Sequence, residues 1–337
     1  MKINSSLKTG VLLLGTMLAA SGCAKNSEVD PSITNIAVTN PDFQLLEDAA
    51  IRGNVAITLG NKNPNDPQGN YTVFAPTNAA FNRLGIREAV DLTALQPGFL
   101  TSTLLYHVYS GSLPGGTLTA GSTSPSLPVP GSTAAQGPTR RIITRADGSR
   151  YVNGSKILGT DVHAANGLIH PIDKVLIATG VDIVKSAQML QNAQVFTKPE
   201  LTFLVEAVIY ADLVATLSGP GPFTVFAPTD QAFRDLGVAL NVPLNQPSDI
   251  RKLPKSTVQA VLLNHALGGT RGGRFTAELP EGTTVASAGG APVTLGAFTN
   301  GVLTVKGASN ATPANMVIPD VQCSNGVVHV IDRVLLP

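Results

Sequence analysis

Tyr71-Thr72-Val73-Phe74-Ala75-Pro76-Thr77-Asn78-Ala79-Ala80-Phe81-Asn82-Arg83-Leu84-Gly85 is written twice in this chain, with small changes. It returns as Phe223-Thr224-Val225-Phe226-Ala227-Pro228-Thr229-Asp230-Gln231-Ala232-Phe233-Arg234-Asp235-Leu236-Gly237, so Phe74 recurs as Phe226, 152 positions on. A second pair follows. Asn166-Gly167-Leu168-Ile169-His170-Pro171-Ile172-Asp173-Lys174-Val175-Leu176 matches Asn325-Gly326-Val327-Val328-His329-Val330-Ile331-Asp332-Arg333-Val334-Leu335, and His170 recurs as His329, 159 positions on. Two ordered motifs, duplicated at near-equal spacing, divide the chain into two domains of about 150 residues, a usual domain size. The period is far too long for a solenoid.

Each first motif reads as strand, stop, capped helix. Residues 72–75 and 224–227 are short apolar runs, and Pro76 and Pro228 end them because proline cannot donate to a ladder. Thr77 and Thr229 are expected N-caps, and Gly85 and Gly237 expected stops, of helices carrying Phe81 and Leu84 or Phe233 and Leu236. Upstream, Asn40-Pro41-Asp42 offers a cap before Phe43, Leu46, Ala49 and Ala50 at helical spacing. Domain two opens likewise at Pro199-Glu200, with Leu201, Leu204, Val205, Val208 and Ala211. Apolar segments 99–105 and 258–263 predict a further helix each, ending at Tyr106-His107 and Asn264-His265. The rest reads as strands. Asn153-Gly154 and Asn300-Gly301 favour type I′ hairpins, and Asn166-Gly167 and Asn325-Gly326 add a second hairpin per domain. Residues 111–139, rich in Gly, Ser, Thr and Pro, read as an irregular exposed stretch. The short linker falls near 178–184, so the domains are expected to touch.

The N-terminus carries the other strong signal. Lys2 and Lys8 precede an apolar run from Val11 to Ala20, too short for a stable membrane span. Ala20-Ser21-Gly22-Cys23 then places small residues before a cysteine, in the manner of a bacterial lipobox. Residues 1–22 are expected to be a lipoprotein signal peptide, Cys23 the lipidated residue, and 23–35 a polar tether. Acyl chains on Cys23 would give stable anchoring. Ala24 is not the aspartate that retains some lipoproteins at an inner membrane, so the expected place is the outer membrane of the cell envelope. With Cys23 acylated, Cys323 has no disulfide partner and reads as an inert, half-buried thiol.

Composition narrows the function. Charged residues are only 13% and hydrophobic ones 43%, enough for two cores and against disorder. Without Lys2 and Lys8, 21 bases face 22 acids, so there is no electrostatic footprint for nucleic acid. Trp is absent, which disfavours aromatic platforms for sugars or bases.

At the two motifs the chain resembles the fasciclin-like (FAS1) family. The resemblance covers residues 31–337, with domain one at 36–178 and domain two at 185–337. It implies an α+β fold in which each domain is a wedge-shaped β-sandwich with helices packed along one edge. It also implies adhesion or contact with extracellular protein or glycan partners. The Tyr-His element matches at Tyr106-His107, which the family connects with receptor binding, while domain two has Asn264 before His265. Tyr106 and His107, beside the 111–139 stretch, are therefore the candidate binding residues.

Chemistry has few candidates. His107, His163, His170, His265 and His329 form no metal-ligand spacing, and His170, His265 and His329 read as structural, with buried hydrogen bonds. Asp173 and Asp332 follow their histidines by three, which puts them on the opposite strand face. No nucleophile elbow or phosphate loop occurs. The expectation is a protein that is no enzyme and takes no metal or cofactor. The alternative is an accessory polysaccharide-binding or ester-hydrolysing protein.

Overall fold

The computed structural model describes residues 30–129, 135–192, 200–269 and 272–337. The signal peptide, Cys23, most of the tether and Pro199 lie outside the described residues.

The strands are β1 Tyr71–Pro76, β2 Val108–Ser110, β3 Thr123–Pro125, β4 Thr139–Thr144, β5 Arg150–Val152, β6 Ser155–Lys156, β7 Val162–Ala164, β8 Gly167–Ile172 and β9 Ile177–Ala178. Domain two continues with β10 Phe223–Pro228, β11 Ala266–Leu267, β12 Thr283–Ala286, β13 Pro292–Leu295, β14 Thr304–Gly307, β15 Ala314–Cys323 and β16 Gly326–Ile331. Domain one forms sheets β2-β1-β8-β7 and β3-β4-β5-β6. Domain two repeats the order as β11-β10-β16-β15 and continues along β15 into β14-β13-β12. The long, bulged β15 does as one strand what β6 and β7 do as two.

The two sequence motifs are neighbours in space. β1 pairs with β8 in parallel, Phe74 opposite His170, and β10 pairs with β16 in parallel, Phe226 opposite His329. Glycine is required where the closing strand begins. A Cβ on Gly167 would lie 1.8 Å from the Tyr71 carbonyl oxygen, and one on Gly326 2.2 Å from that of Phe223.

Strand alternation splits each domain into two cores. Val73 and Ala75 face a helical layer with Phe43, Leu45, Ala49 and Phe81, whereas Phe74 packs with Ile142, Val152 and Ile172 between the sheets. In domain two Val225, Ala227, Val328 and Val330 face the helices, and Phe226 and Ile331 face Val293, Leu295 and Val305. This is the expected α+β sandwich with helices along one side, built twice.

Several local expectations are corrected. The tether does not extend to residue 35: a helix, Ile33–Thr39, begins domain one, with Ser32 as its cap and Ile33 buried. The 178–184 segment is no free linker, because β9 adds in parallel to β15 and Asn325 Oδ1 receives the Ile183 N–H at 2.9 Å. Thr229 caps its helix, accepting from Ala232 N, but Thr77 occupies the cap position without a side-chain bond. Gly85 ends its helix at φ +80°, whereas Gly237 lies inside Asp230–Ala239. Gly237 is needed instead for packing, since a Cβ there would meet the Val242 carbonyl at 2.7 Å. Asn153-Gly154 and Asn300-Gly301 do take paired positive φ, as type I′ turns require. The 111–139 stretch is less open than expected: Leu118, Ser124 and Ser126 are buried.

Candidate functional site

Four histidines are repeated between the domains, His107 with His265 and His170 with His329. His107 donates from Nδ1 to the Thr103 carbonyl (2.7 Å) and accepts at Nε2 from Leu176 N (2.9 Å). His265 repeats this with Val261 O and Leu335 N. Each fastens the end of its helix (Pro97–Tyr106 or Lys255–Asn264) to the segment after the closing strand. His170 accepts at Nδ1 from Asp161 N and donates from Nε2 to Leu113 O; His329 does so with Asp320 N and Arg274 O. All four rings are buried and both nitrogens of each are engaged with backbone. Burial holds their pKa values below the usual histidine range, to about 3 for His107 and about 4 for His265, so they are neutral.

Asp173 and Asp332 do not pair with these rings. Asp173 accepts from Lys156 N and Ser155 Oγ, and Asp332 from Asn315 N and Nδ2. They pin the neighbouring strand at the same place in each domain.

Tyr106 and His107 are corrected as an exposed patch. Tyr106 is only 3% exposed and His107 1%. The helix that carries them turns them inward, and domain two covers the tyrosine. Tyr106 Oη donates to Gln322 Oε1 and receives Asn153 Nδ2 at 2.5 Å. Burial pushes the phenol well above its ordinary pKa, so it remains a donor. Beneath it Arg140, fully buried, donates to the carbonyls of Tyr106 (2.6 Å) and Pro125 (2.8 Å) and lies 5.2 Å from the Phe74 ring. Its burial lowers its pKa to about 10. In domain two Asn264 replaces the tyrosine, buried, bonded through Nδ2 to Leu335 O.

Around Tyr106 lies a polar junction between the domains. Lys174 Nζ spends its three protons on Asp320 Oδ2 (2.5 Å), Thr276 Oγ1 (3.0 Å) and Gly301 O (2.8 Å). Arg141 grips Glu278 with Nε and Nη2, donates to Gly273 O and stacks 4.6 Å from the Phe275 ring. Arg145 pairs with Glu281 and covers Phe298. β9 adds backbone pairing. Beside this junction a groove of about 540 Å³ opens, lined by Arg141, Pro222, Gly273, Phe275, Gln322 and Ser324. The groove joins backbone, amide and hydroxyl groups to an aromatic floor. That suits reversible binding, and among the described residues no three potential metal ligands cluster anywhere.

Reading the sequence missed Lys174, Arg140 and Arg141, as well as the carboxamides of Asn166 and Asn325. Asn166 bonds Ile33 N, Leu59 O and Asn61 O; Asn325 bonds Ile183 N, Leu217 O and Gly219 O. Their repetition in the two motifs was the available signal, spent on the turn reading alone.

Comparison with known proteins completes the picture. The sequence matches the family model for the Fasciclin domain over residues 41–178 and again over 199–337. It is 41% identical over 136 residues to the uncharacterized protein sll1735 of Synechocystis, covering 40% of this chain and 86% of that one. Over 272 residues it is 28% identical to transforming growth factor-beta-induced protein ig-h3 of Sus scrofa, covering 80% of this chain but 35% of that protein. It is 30% identical over 178 residues to immunogenic protein MPB70 of Mycobacterium bovis, covering 48% and 82%. A FAS1 domain pair from the insect cell adhesion molecule fasciclin I aligns over 90% of this chain and 96% of that one, at 17% identity and a TM-score of 0.38. With the family match spanning most of both halves, the chain belongs to the fasciclin domain family and carries two of its domains in tandem.

Proposed function

We propose that this protein is a lipid-anchored binding protein of the cell envelope whose fasciclin pair contacts extracellular protein or glycan partners without catalysis. One observation carries the reading. The four histidines repeated between the domains have both ring nitrogens committed to backbone, leaving them no proton to exchange with a substrate. The junction fixes the two domains with respect to each other, and the groove beside it is the place for a partner. Among the described residues no helix is long and apolar enough to cross a membrane; the attachment proposed is through Cys23, after the small residues Ala20-Ser21-Gly22. Seven residues from Cys23 to Asp30 reach at most about 25 Å, which would hold domain one near the bilayer.

Cys23→Ser should move the protein from the membrane to the soluble fraction or leave the precursor unprocessed. A mature N-terminus elsewhere would reject the anchor. Ser324, exposed at the groove, can be replaced by Arg to block it. Loss of adhesion to cells or matrix at unchanged thermal stability supports the groove, and normal adhesion sinks it. Ester or glycan turnover by the purified protein would establish the enzymatic alternative. Protease shaving of intact cells tests display at the outer membrane.

A further inference from the structure

We propose that domain one holds a binding site for a neutral alkyl chain between its first helices, separate from the groove at the junction. A cavity of about 70 Å³ lies between Ile33–Thr39, Gln44–Arg52 and Ala56–Gly60 and the face of β1. Val73, Leu104 and Ile169 form its floor. It reaches the surface, for Val38 and Ile51 line it and are 50% and 62% exposed. Ile57 on the third of these helices is 73% exposed. Isolated apolar residues on a surface are ordinary, but Val38 and Ile51 line an apolar cavity while exposed, and so make a continuous path from solvent to floor.

Domain two supplies an internal control. Asn54 and Asp212 both take positive φ, +54° and +56°, directly after equivalent helices, which fixes the register between the domains. In that register Ala50 and Val55, both lining the cavity, correspond to Val208 and Leu213 of domain two. Val208 and Leu213 are buried in the core of domain two. The Asn166 and Asn325 bonds likewise align Ile33 with Ile183, so Thr34 of the cavity answers to Val184. At Ala50 and Val55 domain one therefore carries the smaller side chain on this wall of the cavity, whereas Phe43, Val108 and Ile169 on the other walls exceed their counterparts Leu201, Ala266 and Val328. Interiors are close-packed, and apolar cavities remain dry and accept hydrocarbon. The space suits the terminal two or three methylenes of a chain. His107 borders it with both nitrogens engaged, so no buried donor is offered to a head group. Glu47 stands among the lining residues, and its carboxylate disfavours an anionic head nearby.

The test uses the full chain with Cys23→Ser and 1-octanol as probe, read by methyl NMR. Saturable shifts of the Val38, Ile51 and Val55 methyl signals are expected. Ala50→Val with Val55→Leu, which imports the domain-two residues, should weaken binding at least tenfold without lowering the melting temperature. Should the pair disturb folding, Val55→Leu alone gives the same reading. Octanoate should bind more weakly than octanol. No saturable shift, or equal affinity in the filled variant, would show a packing void only. Tighter binding of octanoate overturns the neutral-head assignment.

Discussion

The ammonium of Lys174 in domain one lies 2.5 Å from the carboxylate of Asp320 in domain two, and both side chains are buried. Asp320 also receives Thr276 N and Oγ1 and, through its own N–H, holds His329. One residue thereby joins the domain interface to the motif histidine. Domain one has the same device in Asp161, which receives Gly115 N and donates its N–H to His170. In domain two the carboxylate also holds a cation from the other domain.

Removing the lysine leaves that carboxylate uncompensated, which costs about 3–5 kcal/mol for a buried pair. Lys174→Met should therefore destabilise strongly, and adding Asp320→Asn should recover part of the loss. The check is a double-mutant cycle by urea denaturation. Additive losses from the two changes would show that the pair is not coupled.

Tyr106→Phe removes the hydroxyl shared by Asn153 and Gln322 and keeps the ring beside Arg140. It should cost about 1–3 kcal/mol, the price of unsatisfied buried partners. Because the tyrosine is enclosed, adhesion should fall only in step with stability. Lost adhesion at full stability would restore the exposed-patch reading.

What the sequence made legible was local or repeated. The strand, proline and short helix of the first motif depend on neighbouring residues, and the structural role of His170, His265 and His329 followed from their place in both copies. The parallel pairing of β1 with β8 was not legible, because it joins segments with about ninety residues between them. Nor was the first helix: Ile33, Thr34, Ile36, Val38 and Thr39 are β-branched and disfavour helix, and packing of Ile33 together with the Asn166 bond overrides that preference. The role of Lys174 was not legible either, since its partner Asp320 lies 146 positions away. Tyr106 was misplaced for a related reason: a local reading sees a helix end, not the second domain that covers it.

The buried histidines predict a pH response. Unfolded, each titrates near 6.5, while folded His265 is held at about 4 and His107 at about 3. The folded values are depressed, so their contribution is complete above pH 6.5. It fades as pH falls towards the folded values, because the unfolded chain binds more protons. At pH 5 His265 alone accounts for a loss of about 2 kcal/mol. Urea midpoints at pH 7, 6 and 5 test this above the range where most carboxylates titrate. A flat profile between pH 7 and 5 would contradict the neutral, buried assignment.

Asn325 offers the sharpest test of how each domain is closed. Its Oδ1 accepts Ile183 N, and its Nδ2 donates to Leu217 O and Gly219 O, both at 2.9 Å. The side chain thus ties the start of helix Ile183–Asn192 and the end of helix Val214–Ser218 to the turn before β16. Asn325→Ala should cost about 2–3 kcal/mol, since three partly buried backbone groups lose a partner together. Hydrogen exchange should quicken first in Ile183–Asn192. Asn325→Asp separates this account from one of mere size. It keeps an acceptor for Ile183 N but turns the donor end into an oxygen facing two carbonyls. Asp should therefore be at least as damaging as Ala despite matching asparagine in shape, and wild-type stability in Asn325→Asp would show that the two carbonyl bonds contribute nothing.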